Sequence, residues 1–528
     1  MKKSLLTSLA VATGFAAMAA PALSPAWTKT MPASYEAGSA VYNAPVAVNL
    51  KGNAALTGAF TEDMTIGGSA LSAVGTSAYL AFADAAGEIK WAVALSGAVS
   101  VSDVVIAEDD CIYVAGTYTD EVELGAATGE GKTITGMEIW GDPTVELNAS
   151  FIAKYTGEGA LAGVQTYIPE ALPELDGTDY FMFDGDVFFH INHLALDGNK
   201  LYASAIYSGT TTVGESTMAG SYNDPWWGMF FVDLRAAGVF ALDLDLKNAA
   251  PVASLDFAES LATEDGQYQA TSVTLAAQNG TVYMAATCNG PMVLSTAGGD
   301  KETLEITAPS YAYVFAEVTG GKLGKYGIAE CPASGQQERF ILSDIAVSDA
   351  DIAILGYETF ANNYGQDDEY IGYELFAYCG SAADLTALTK STFEAKQGEL
   401  ENYGLTQCAT LADGSIVFGT LAYDAKGDLA GAGQTYTFAD GVFAPFATVA
   451  DANGAAAAGG FVLFSTIGET AATFALYKDE NSGVADITVE AGEGTAEYFN
   501  LQGMKVENPA NGIYIRRQGK SVEKVLVK

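Results

Sequence analysis

An all-β propeller, most simply seven-bladed and followed by a small β module, is the fold this sequence predicts, and three features carry that reading. A unit of apolar strand, tight polar turn and second short strand recurs along the body. Its strands are apolar at successive positions, as strands covered on both faces must be. No helix of any length is evident in the apolar spacing.

The first element is an export signal. Lys2 and Lys3 precede an apolar stretch from Leu5 to Ala20, too short and Ala-rich to span a membrane but suited to a secretory leader. Ala17-Met-Ala19 and Ala20-Pro-Ala22 are small-residue cleavage sites, so residues 1–22 are read as the signal peptide. No cysteine precedes Cys111, which leaves no residue for lipid anchoring, and no later segment is apolar enough for a membrane span.

Repeats then run through the body. They begin at Val48–Gly58, Val105–Gly116, Leu194–Ala203, Leu275–Met284, Ile345–Gly356 and Thr410–Gly419, with a weaker seventh copy at Val449–Phe464. Asp-Gly and Asn-Gly at the turns permit the positive φ angles of tight hairpins. Copies spaced about 40 to 90 residues apart describe blades rather than separate domains. Each unit is followed by a second hairpin, as in Ala78–Val93, Ser150–Ala162 and Met229–Leu242, and two hairpins make a four-stranded blade. The seventh unit has three evident strands, and Trp27-Thr-Lys-Thr30 has the character of its missing outer strand. Joining the chain ends in this way leaves no open seam. A six-bladed ring with extra strands stays open at this point. The alternation of Tyr-Val-Ala-Gly116 with Phe-Ile-Ala-Lys-Tyr155 resembles, loosely, the β-propeller repeats of bacterial secreted and surface proteins.

The boundaries expected are 23–479 for the propeller, 480–483 for a linker and 484–528 for a β-sandwich-like module. Within the last segment, Glu497-Tyr-Phe-Asn-Leu-Gln-Gly503, Asn511-Gly-Ile-Tyr-Ile515 and the Val522-Glu-Lys-Val-Leu-Val-Lys528 terminus are hairpin-forming runs. Together they resemble the C-terminal sorting domain of the bacterial type IX secretion system. The resemblance implies an address: Tyr498, Gly503, Gly512, Tyr514, Lys524 and Lys528 as sorting signal, the type IX machinery as partner, and a secreted or outer-surface location reached through the periplasm.

Acidic residues outnumber basic ones by 65 to 24, a net charge of −41, and the tail, balanced in charge, contributes none of it. That field repels nucleic acid, anionic membranes and acidic polysaccharides. Five scattered cysteines without a Cys-x-x-Cys pair give neither a disulfide framework nor a zinc site.

Long connections between second and third strands, at 61–77, 125–148, 209–225 and 362–370, share one face of such a ring and suit binding. Three carry aromatics beside acids: Trp140 with Asp142; Tyr222, Asp224, Trp226 and Trp227; and Tyr364, Asp367 and Tyr370. Aromatic faces with neighbouring carboxylates suit neutral sugar rings, although Trp227 also fits an alternate core position of a strand. The only histidines, His190 and His193, stand three apart, so an unbroken strand puts them on opposite faces, unable to share a metal. Each is read as a satisfied structural histidine. Carboxylates are abundant without a paired motif, and Arg235 and Arg339 alone supply arginine to the body. The residues therefore give no catalytic set, no metal and no cofactor, with calcium conceivable only at Asp367-Asp-Glu369 or Glu108-Asp-Asp110. The functional expectation is a noncatalytic binding protein for a neutral glycan or a surface protein, with a polysaccharide-degrading glycosidase or lyase, or an adhesive protein, as alternatives. Oligomeric state is not legible.

Overall fold

The computed structural model describes residues 23–33, 44–137, 148–170, 187–220, 235–258, 269–306, 311–331, 336–348, 351–362, 370–394 and, with short interruptions, 405–479. In the tail it describes 497–499, 505–506, 509, 512–518 and 521–527. The chain divides into two compact units, Pro25–Lys478 and a second formed by Met1–Ser24 with Asp479–Lys528.

In the larger unit, a four-stranded meander occurs six times among the described residues, and a seventh sheet has three sequential strands and a fourth from the start of the chain. The first strands are Val46–Val48, Val99–Ile106, Phe188–Asp197, Gln269–Gln278, Gln336–Val347, Leu405–Thr410 and Gly454–Ala458. Each packs against the first strand of the next sheet, and Gly454–Ala458 packs against Val46–Val48, so the sheets close into a ring. They are the blades of a β-propeller, numbered one to seven below.

Burial follows from this arrangement. The middle strands of blade one, Ala54–Phe60 and Ser77–Ala83, are buried at every position because a blade covers each face. The outer strand Leu161–Tyr167 of blade two is exposed along much of its length. Apolar clusters lie between blades, as where Phe82 and Trp91 of blade one meet Val104, Val114 and Phe151 of blade two. Trp91 satisfies its indole by donating from Nε1 to the Gly157 carbonyl at 2.9 Å.

The strand that completes blade seven comes from the start of the chain, as the sequence predicts. Leu23–Pro32 pairs with Ala471–Asp479. The Thr30 and Thr473 hydroxyls lie 3.1 Å apart, and the Ala33 N–H donates to the Thr470 carbonyl at 3.1 Å. Trp27 and Met31 are buried in the same apolar cluster as Leu56 of blade one and Phe474 of blade seven. Gly87 makes room for the indole: its φ is +78°, and a Cβ there would stand 2.6 Å from Trp27 Cγ.

The long connections depart from the open loops expected. The first folds into a hairpin, Met64–Ile66 with Ser69–Leu71. That of blade two contributes Glu121–Leu124 and Lys132–Thr135, which extend the outer edge of blade one, with Leu124 opposite Leu95. Blade four repeats the device on blade three, where Met292 stands opposite Phe257. Edge strands carry unpaired backbone groups, and these borrowed hairpins satisfy them.

The tail's described strands form one antiparallel sheet, in the order Lys505–Val506, Glu497–Phe499, Gly512–Gln518 and Ser521–Val527, where a sandwich-like module is expected. Tyr498 lies opposite Arg516, Tyr514 opposite Val525, Lys524 opposite Ile515 and Gly512 opposite Val527, while Gly503 and Lys528 lie outside the described residues.

Replacing Trp27 with Ala removes the largest side chain of the closing strand and should cost about 3 kcal/mol or more in denaturant unfolding. Val74→Ala, at a position 62% exposed, should stay within about 0.5 kcal/mol of the parent.

Candidate active site

Strand alternation is interrupted at one level of the ring's inner edge. The first strands of blades two to six carry register shifts between Val101 and Asp103, Ile191 and His193, Ala270 and Ser272, Leu342 and Asp344, and Leu405 and Cys408. Such a bulge adds a residue and re-aims the side chains that follow. The residue after it is polar in blades two to five: Asp103, His193, Ser272 and Asp344.

Three of these polar side chains pin their blade to the next. Asp103 accepts the Leu194 N–H at 2.8 Å, Ser272 Oγ accepts the Leu342 N–H at 2.8 Å, and Asp344 accepts the Cys408 N–H at 2.8 Å. Asp103 and Asp344 also each accept the N–H of the following residue, Val104 and Ile345, at 2.8 Å. Across the closing seam, Gln407 grips Val46 by both backbone groups, accepting its N–H at 3.0 Å and donating to its carbonyl at 2.9 Å.

The Asp344 charge reaches both Asp103 and His193. Burial raises the Asp103 carboxyl to about 8; the Leu194 N–H works against this, the Asp344 charge adds to it, and the Val104 N–H opposes it. Burial lowers His193 below its ordinary value, with the Asp344 charge in partial opposition. Burial, then the charge and hydrogen bond of Asp344, push the Cys408 thiol well above its usual range. At neutral pH the inner edge thus holds a mostly protonated carboxyl at Asp103, an uncharged imidazole and a thiol around Asp344. His193, Asp344 and Cys408 are enclosed by protein yet keep partial solvent exposure. Titratable groups driven apart by their surroundings are the usual makings of acid–base chemistry.

The histidines require a correction. His190 lies opposite Ile206 and His193 opposite Ser204, two residues apart on the second strand, so the pair shares one face. The bulge between Ile191 and His193 breaks the alternation on which the opposite-face expectation rests. The His193 ring makes no hydrogen bond among the described residues, whereas the His190 ring lies 4.5 Å from that of Phe188.

Most of the aromatic positions singled out above, Trp140, Asp142, Tyr222, Asp224, Trp226, Trp227, Tyr364 and Asp367, lie outside the described residues. Tyr370 opens the third strand of blade five, opposite Asn362. Of the conceived calcium sites, Asp367-Asp-Glu369 also lies outside. At the other, Asp110 receives Asn49 Nδ2 at 2.7 Å, Lys51 Nζ at 2.8 Å and Asn53 Nδ2 at 2.9 Å, which ties blade two to blade one. Burial works to raise this carboxyl, but those bonds hold it below its ordinary value. No group of three or more His, Cys, Asp and Glu is placed to hold a metal among the described residues, and no described helix is long and apolar enough to cross a membrane. A cleft of about 450 Å³ at the closing seam, lined by Lys29, Met31, Ile66 and Glu88, gathers no reactive set.

The signal that sequence reading missed is a short recurrence. Val101-Ser-Asp-Val104 and Leu342-Ser-Asp-Ile345 are the same apolar-Ser-Asp-apolar run, set immediately before or across the start of two of the repeats.

No family model matches this chain, and no curated protein matches it. Solved structures do resemble it. A polysaccharide lyase of family PL25, an ulvan lyase, has a TM-score of 0.39 at 9% identity, with 76% of this chain and 81% of that chain covered. An α-L-arabinanase from Penicillium chrysogenum, complexed with arabinobiose, has a TM-score of 0.34 at 8% identity, covering 70% and 91%. The Cps50 (Swd1) β-propeller domain from Myceliophteria thermophila has a TM-score of 0.26 at 10% identity, covering 68% and 94%. The likeness is one of fold. The expectation of a protein that is not an enzyme does not stand, since a lyase and an arabinanase are among these neighbours.

Asp103 gives a pH signature. Its folded value of about 8 exceeds the ordinary 3.8, so across that window the folded state keeps a proton that the unfolded chain has lost. Stability therefore falls as pH rises from about 4 to 8. His193 acts in the opposite sense, costing stability as pH falls through its ordinary value of 6.5, where only the unfolded chain is protonated. Asp103→Asn should flatten the alkaline decline in a series of thermal denaturations; an unchanged slope would show that Asp103 does not hold the proton.

Proposed function

We propose that the propeller is an extracellular glycoside hydrolase acting on a neutral polysaccharide, with its chemistry at the ring's inner edge. The observation that carries this reading is that the charge of Asp344, on blade five, acts on both the buried Asp103 of blade two and the uncharged His193 of blade three. Asp103, which keeps its proton to about pH 8, serves as general acid toward the leaving glycosidic oxygen. Asp344 serves as the carboxylate that activates water or attacks the sugar carbon. The net charge of −41 supports an uncharged substrate over a uronate chain.

We also propose that the tail is the address for this activity. Its resemblance to type IX sorting domains supports export through the periplasm to the surface or the medium, and removal of residues 484–528 should leave the protein in the periplasm. Normal surface appearance of the truncated chain would end the sorting proposal.

The enzymatic proposal is tested by incubating the purified protein with neutral polysaccharides and following new reducing ends. Asp344→Asn and Asp103→Asn should each lower turnover about a hundredfold or more with the fold intact by circular dichroism. Full activity in both variants refutes the assignment. Unsaturated, ultraviolet-absorbing ends would instead identify a lyase.

A further inference from the structure

Blade three breaks the pattern of its neighbours. In blades two, four and five the side chain after the bulge accepts a backbone N–H of the next blade. His193 occupies that position in blade three and makes no hydrogen bond among the described residues. The groups beside it are buried without partners. Asn192 Oδ1, the residue added by the bulge, is buried without a partner. Ser204, the cross-strand neighbour of His193, is fully buried with its Oγ unpartnered. On blade five, Ser343 Oγ, next to Asp344, is in the same condition.

Buried polar atoms without partners are rare because leaving them unmade is costly, and several together mark a place where something else completes the bonding. Their chemistry defines that occupant. An imidazole without charge has one N–H to donate and one nitrogen to accept, an amide oxygen accepts only, and a serine hydroxyl does either. A metal ion is a poor fit, since no three metal-ligating groups converge among the described residues. A carboxylate would meet the Asp344 charge. Neighbouring hydroxyl groups, each donor and acceptor, match the set.

We propose that the bulge of blade three, His193 with Asn192, is the subsite that takes hydroxyl groups of a neutral sugar. This deepens the hydrolase reading and rests on it for the class of ligand. Asn192 Oδ1 accepts from one hydroxyl, while the imidazole donates to one sugar oxygen and accepts from another. At this position Asp103, Ser272 and Asp344 each accept a backbone N–H of the next blade, and His193 accepts none.

The chain contains only two histidines, which makes the test direct. Ring nitrogens are labelled in the full protein and followed by NMR, with His193→Gln assigning the signals. The probes are neutral oligosaccharides of glucose, xylose, mannose and arabinose, with oligogalacturonate as charged control and zinc alone as metal control. One neutral series should shift the His193 signal saturably, and Asn192→Ala should weaken that binding about tenfold, the worth of one hydrogen bond. A His193 signal moved by no neutral sugar overturns the proposal, as does one moved by zinc or the uronate alone. Turnover without a His193 shift removes the subsite and leaves the hydrolase reading standing. A shift without turnover of the bound sugar does the reverse.

Discussion

The inner edge of a closed ring of sheets is where the backbone is hardest to satisfy. Each first strand pairs with its own second strand but has no strand on its other side, so its remaining N–H and C=O groups need partners of another kind. This chain supplies them from the preceding blade: Asp103 holds Leu194, Ser272 holds Leu342, and Asp344 holds Cys408. The bulges that set these side chains at one level therefore serve the cohesion of the ring. They also bring titratable groups from different blades within reach of the Asp344 charge, so the candidate site follows from the way the ring is closed.

Much of the fold was legible because it depends on strong local rules. Asp-Gly and Asn-Gly turns mark the hairpins, and runs such as Ala54–Phe60 can only be strands covered on both faces. The closing strand could be read because Trp27-Thr-Lys-Thr30 matches a gap left by the three strands of the seventh unit. The borrowed hairpins were not legible. Nothing local distinguishes Glu121–Leu124 as a partner of blade one from a loop strand of its own blade, since that choice is made by an edge distant in sequence.

The site was harder, for a reason that one residue illustrates. A β-bulge has no composition of its own, yet it reverses the facing of every residue beyond it. The reading of His190 and His193 as opposed was correct for an unbroken strand and failed on the single extra residue between Ile191 and His193. Asp103 was passed over as one carboxylate among 65 acidic residues. What sets it apart is burial, 7% exposed beside the charge of Asp344, and burial at a ring's inner edge is a tertiary property. It contrasts with the chain's net charge of −41: at the inner edge a carboxyl and an imidazole both resist ionisation.

The protonation of that inner edge is the account's central claim, and neutron diffraction from a deuterium-exchanged crystal at neutral pH tests it most directly. The account predicts a deuteron on the Asp103 carboxyl and one, not two, on the His193 ring. A bare Asp103 carboxylate beside a doubly deuterated imidazole would contradict it.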